Sequence, residues 1–210
     1  MKITILTDNP NSWIIPYVED LKKKLSKHDV LHIFDKKGIR KGDILFLLSC
    51  EKIVTQDYLR LNTNNIVVHP SPLPNYKGWS PMAYQILEGA QEIVVSLFEA
   101  KEEVDEGNIY LQKTISLDGT ELNKEIKEKQ GITTVDMALE YISKRDTLEG
   151  IPQVGEGFFC KKRTANSSEI SPTDSIIDQF DQFRVADNDR YPVFFRLYGK
   201  KYILKIYEED

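Results

Sequence analysis

Residues 67–81 read VVHPSPLPNYKGWSP, and the fold class follows from how that stretch must behave. It opens with β-branched residues suited to a strand. Pro70, Pro72 and Pro74 then stop any ladder or helix, because none of them carries a backbone N–H. A strand therefore ends on His69. Gly78 allows a sharp turn, and Ser80-Pro81 spells an N-cap followed by proline at the first helical position, so a helix is expected from Pro81 to about Leu87. A titratable ring at the C-terminal edge of a strand, facing a helix start, stands where open α/β sheets bind ligands and present reacting groups. Taken alone, the same histidine reads equally well as a structural cap on the strand.

Upstream, strands alternate with helices. Lys2 to Leu6 is a short β-branched run, and Ser12 to Ser26 carries Trp13, Ile14, Tyr17, Val18, Leu21 and Leu25 on one helical stripe. Two further strands follow at Val30 to Phe34 and Asp43 to Leu48, the second apolar enough for a central parallel strand. A helix from Thr55 to Leu61 leads into residues 65–69. This βαβ pattern lacks Gly-x-Gly-x-x-Gly, so it supports a doubly wound α/β sheet without a nicotinamide cofactor.

Downstream lies VVSLFEAKEEVDEGNIYLQ, residues 94–112. Asp105 sits there in an acidic turn between the apolar runs Ile93 to Phe98 and Ile109 to Ile115. Such an aspartate is ordinarily a solvated turn residue. Beside a strand-end histidine it becomes a candidate for the carboxylate that orients and charges an imidazole. Residues 119–145 have helical periodicity, with Thr120 as N-cap and Gly131-Ile132-Thr133 breaking the run. From Leu148 to Lys162 the chain is Gly-rich and aperiodic, a connection crossing back over the domain. Pro172-Thr173-Asp174 opens a helix to about Ala186, and a β-hairpin reversing at Gly199 follows. The expected division is a Rossmann-like domain over residues 1–147 and a small C-terminal region over 148–210.

The chain has 210 residues, 40% hydrophobic and 29% charged, enough for one proper core. A net charge of -5 argues against a broad nucleic-acid surface, tRNA included. The two cysteines, Cys50 and Cys160, lack metal-ligand spacing and read as buried thiols of a reducing, cytoplasmic compartment. No metal, signal peptide or membrane-length apolar run is indicated. The apolar Phe194-Phe195 and the hairpin offer a surface for a homodimer contact.

HPSPLPNYKGWSP followed by VDEGNIY resembles the signature of the folate-dependent formyltransferases, whose pattern is Asn-x-His-x-Ser-x-Leu-Pro, a Gly-containing loop, then Asp-x-Gly before a strand. His69, Ser71, Leu73, Pro74, Gly78, Asp105 and Gly107 match it. The family asparagine does not: Val67 stands in its place. Asn65 shares a strand face with His69 but lies about 13 Å upstream at strand rise. The resemblance implies 10-formyltetrahydrofolate as formyl donor, His69 and Asp105 as catalytic residues, and Asn65 or Ser71 as auxiliaries. It places the folate against Ser49, Cys50, Ile53 and Val54 on one side and Glu103 and Val104 on the other. An Asp-x-x-Arg-Tyr-Pro element, Asp187 to Pro192, is similar to one in the sugar N-formyltransferases. It implies a nucleotide-linked amino sugar as acceptor, first a dTDP-4-amino-4,6-dideoxyhexose, giving an N-formylated sugar for surface glycans. Lys77, Gly78, Trp79, Arg184, Arg190 and Tyr191 are the candidate acceptor contacts. A non-catalytic folate or nucleotide-sugar binding protein and a formyltetrahydrofolate hydrolase are the alternatives.

Overall fold

The computed structural model describes residues 1–209. Strands β1 (Lys2–Leu6), β2 (Asp29–Ile33), β3 (Gly42–Leu47) and β4 (Asn62–His69) are mutually parallel. They join β6 (Glu92–Glu99) and β7 (Ile109–Ser116) in a six-stranded sheet ordered β2-β1-β3-β4-β6-β7. β6 runs antiparallel to β4, and β7 antiparallel to β6. Between β4 and β6 lie β5 (Lys77–Gly78) and helix α3 (Pro81–Leu87). The aperiodic segment does cross back: Ile151 exchanges both backbone bonds with Ile109 at 2.8 Å, and β8 (Phe159–Cys160) runs parallel to β5.

The core is two-sided, as a sheet with near-continuous apolar strands requires. Ile3, Ile5, Phe46 and Val95 are fully buried under α1 (Ile15–Lys24) and α4 (Asn123–Lys144). On the other face Leu6, Leu45, Leu47, Val54 and Leu59 form a smaller cluster under the short helix α2 (Gln56–Leu59). The C-terminal region adds helix α5 (Phe180–Val185) and a hairpin of β9 (Val193–Leu197) and β10 (Lys200–Leu204), which reverses at Tyr198-Gly199, both with positive φ.

Local signals misplace four features. α4 runs straight through Gly131, where a Cβ would fall 2.6 Å from the Tyr17 ring. The glycine serves the close approach of α1 and α4; it does not break the helix. Thr120 bonds the Asp118 carboxylate, and the helix instead starts after Leu122, whose N–H is taken by the Glu125 carboxylate at 2.9 Å. Ser80 does precede α3, yet at φ 54° and without a side-chain cap; Pro81 carries that start. The helix expected from Pro172-Thr173-Asp174 to about Ala186 is a 3₁₀ turn at Ile177–Gln179 followed by α5. Among the described residues no helix is long and apolar enough to cross a membrane, and no three His, Cys, Asp or Glu gather as a metal site.

Candidate active site

β4 ends on His69, which is 8% exposed and pairs across the sheet with Ser96. The chain then doubles back, and the carbonyl oxygen of Tyr76 lies 3.0 Å from Nε2. A carbonyl only accepts, so Nε2 bears the hydrogen and Nδ1 is left as the ring's acceptor. Asp105, at φ 58° in the turn between β6 and β7, brings Oδ2 to 3.6 Å from Nε2 and accepts the Gly78 N–H at 2.8 Å. The neutral ring's tautomer is thus set by Tyr76, and the Asp105 carboxylate stands beside the same nitrogen beyond hydrogen-bond distance. Phe98 packs its ring edge-on to the imidazole, with centroids 6.4 Å apart.

Both groups line a cleft of about 440 Å³, within the range of small-molecule sites. One wall is the loop after β3 together with residues 101–104, over a floor of Leu47, Val54, Val67 and Phe98. Asp8, at the end of β1, shapes that loop by accepting the N–H groups of Glu51 and Lys52. All six expected folate-side residues, Ser49, Cys50, Ile53, Val54, Glu103 and Val104, line it. Cys50 donates its thiol to the Leu6 carbonyl, and burial pushes it up to about 12, so it stays protonated and is no nucleophile.

The opposite wall comes from α4 and the C-terminal region. Gly78, Trp79, Arg190 and Tyr191 reach it as expected. Across the mouth, Glu51 pairs with Lys162 at 2.8 Å and with Arg190 at 3.6 Å, and Lys162 is the larger cause of its lowered carboxyl. Lys127 pairs with Asp187 at 3.0 Å. Arg163 is half-buried on this wall and bonds only neutral oxygens, the Ser167 carbonyl at 2.9 Å and Gln182 Oε1 at 3.4 Å.

Four expected residues lie outside the cleft lining. Asn65 lines a separate polar crevice with Asn62 and Glu99, where its own N–H meets the Glu99 carboxylate at 2.6 Å. Strand alternation gave its face correctly, but the rise carried it away from His69. Ser71 is fully buried behind the loop with an unpartnered hydroxyl. Lys77 is 4% exposed and turned away, paired with Glu106. Arg184 is 3% exposed, held by Glu121 at 3.1 Å and Asp181 at 2.9 Å. Sequence reasoning passed over Asp8, Tyr76, Lys127, Lys162 and Arg163 as site members; for Asp8, Lys162 and Arg163 the Thr-Asp-Asn-Pro turn and the Lys-Lys-Arg run were the signals.

A family model described as formyl transferase matches residues 16–137. The chain belongs to the formyl transferase family. The methionyl-tRNA formyltransferase of Ehrlichia chaffeensis is 26% identical over 185 residues, covering 86% of this chain and 55% of that one. That of Thermotoga maritima is 29% identical over 136 residues, covering 63% of this chain and 41% of that one. The chain thus spans about half the length of the curated relatives it matches. Among solved structures, a methionyl-tRNA formyltransferase from Clostridium thermocellum superposes with TM-score 0.85 at 21% identity, covering 100% of this formyl transferase chain and 94% of that one. A 4-N formyltransferase from Francisella tularensis superposes with TM-score 0.75 at 19% identity, covering 100% and 98%. These last two likenesses concern the fold.

Proposed function

We propose that this protein transfers a formyl group from 10-formyltetrahydrofolate to the primary amine of a nucleotide-linked amino sugar, first a dTDP-4-amino-4,6-dideoxyhexose. The observation that carries the reading is the His69–Asp105 pair opening onto a cleft with one loop wall over an apolar floor and one wall bearing Lys127, Lys162, Arg163 and Arg190. The first wall suits the donor: Leu47, Val54 and Phe98 can cover a flat heterocycle while the loop after β3 offers backbone groups to its polar edge. Lys162, Arg163 and Arg190 suit a pyrophosphate, since a guanidinium matches phosphate geometry.

When bound, the folate supplies a formyl carbon whose oxygen gains negative charge as an amine attacks. His69 is the group of this chain that moves the proton. With Nε2 tied to Tyr76, Nδ1 takes the proton shed by the acceptor amine, and Asp105 stabilises the resulting imidazolium across 3.6 Å. Protonated His69 is then the donor for the developing charge, and it returns its proton to the folate nitrogen as the bond from that nitrogen to the formyl carbon breaks. Val67 adds nothing there, because it packs with the Leu6 and Leu47 cluster as plain apolar wall.

A second reading, an aminoacyl-tRNA acceptor, is favoured by the curated relatives, which are methionyl-tRNA formyltransferases. The net charge of -5 argues the other way. The experiment is to incubate the protein with formyltetrahydrofolate and either nucleotide-linked amino sugars or methionyl-tRNA, beside a His69→Asn variant. Formyl mass gain on a sugar, lost in the variant, is the expected result. Gain on methionyl-tRNA alone establishes the second reading, free formate means hydrolysis, and folate binding without turnover means a binding protein.

A further inference from the structure

We infer that Gln153, on the connection between the Rossmann-like domain and the C-terminal region, is a positioning residue for the His69–Asp105 pair; this rests on the reading of that pair as the proton-handling centre. Its Nε2 donates to the Asp105 carbonyl at 2.7 Å and to the Gly107 carbonyl at 2.8 Å. Because both partners can only accept, the amide must face them with its NH₂ end. Its Oε1 is buried and has no partner among the described residues, so the side chain is kept for its donors.

What those donors hold is a turn that needs holding. Asp105 lies in the left-handed region, which a non-glycine residue keeps only under restraint. Two residues on, the Gly107 backbone is pressed so closely on β6 that a Cβ would fall 1.5 Å from the Glu99 carbonyl. That turn aims the Asp105 carboxylate both at His69 and at the Gly78 N–H. The segment carrying Gln153 is itself fixed at both ends. Upstream, Ile151 is bonded to Ile109 and the Gly150 carbonyl to Asn108. Downstream, a Cβ on Gly157 would lie 1.7 Å from the Pro74 carbonyl, and Phe158 accepts the Lys77 N–H at 3.0 Å. One strip of chain therefore braces the loop that bonds His69 and, through Gln153, the turn that bears Asp105. Without the Gln153 donors the turn relaxes and the carboxylate draws away from both of its partners.

The test uses the full-length chain with Gln153→Glu, which keeps the shape but loses both donors, and Gln153→Ala. The primary readout is the backbone amide of Gly78 by NMR, which reports directly whether the Asp105 carboxylate is in place. In both variants we expect that amide to shift and to exchange about tenfold faster, the size of one net hydrogen bond. In transfer assays kcat should fall about tenfold with KM for donor and acceptor unchanged. An unchanged Gly78 amide in the Glu variant overturns the inference, including the case in which only the Ala variant responds, since that would show packing alone. If the wild type transfers no formyl group, the proposed activity falls, while the Gly78 signal still decides the positioning role.

Discussion

The two walls of the cleft are built differently. The wall of residues 49–54 and 101–104 is made of two loops that mix Ile53, Val54 and Val104 with charged residues, the first loop bent to shape by the Asp8 carboxylate at the end of a buried strand. The wall from α4 and residues 162–191 carries four long cationic side chains among neutral ones, three of them held by carboxylates: Lys127 by Asp187, and Lys162 and Arg190 by Glu51. The first shape follows from loops at the sheet edge and from one carboxylate, Asp8. The second is set residue by residue, so a fold of this kind can keep one ligand while exchanging the other.

The strongest way to separate the walls from the centre they share is Asp105→Asn. It removes the charge facing His69 without emptying either wall, and should lower kcat by about 10³-fold with both KM values near wild type. A large rise in donor KM instead would make Asp105 part of the folate wall. Beneath the second wall, Arg184→Ala leaves Glu121 buried without its guanidinium and should cost about 3 kcal/mol in urea unfolding. Glu121 also carries a pH signature. Burial pushes its carboxyl up, but Lys129 and the N–H groups of Asp118 and Gly119 pull it down further, to about 2. An acid depressed in the folded state stabilises it fully above the ordinary glutamate range of about 4.3. That contribution should fade as pH falls toward 2, and Glu121→Gln should flatten this limb of the stability curve. The smallest effects sharpen the comparison most. Arg163→Ala should raise the acceptor KM about tenfold and leave the donor KM alone, whereas Ile53→Ala should raise only the donor KM, about threefold. Crossed effects would mean that the walls have been assigned to the wrong ligands.

The parts of this molecule legible in the sequence are those whose signals are local. Residues 67–81 encode a strand, a stop and a helix start within fifteen positions, and His69 and α3 fall where those signals put them. Asp105 was legible because an acidic turn between apolar runs has one location, the loop between β6 and β7. Gly131 was misread because its reason is a ring on another helix, 114 residues away in the chain as Tyr17. Arg184 was misread for the same kind of reason. An arginine near a tail motif looks like a phosphate ligand until Glu121, from before α4, is found against it. Arg163 carried no local sign that its partners are neutral oxygens. The Gln153 contacts likewise join segments 46 and 48 residues apart.

The strand that ends on His69 has a consequence for how this gene can vary in length. β4 is paired on both sides, Val67 with Leu47 of β3 and His69 with Ser96 of β6, and side chains alternate faces at every step. An in-frame insertion or deletion of one codon between Asn62 and Val68 would turn the imidazole to the opposite side of the sheet while leaving amino-acid composition almost unchanged. At Gly155, with φ 98° and nothing within 4 Å of a Cβ, an added codon would meet open space. Length variation among natural versions of this protein should therefore gather around Gly155 and be purged from β4.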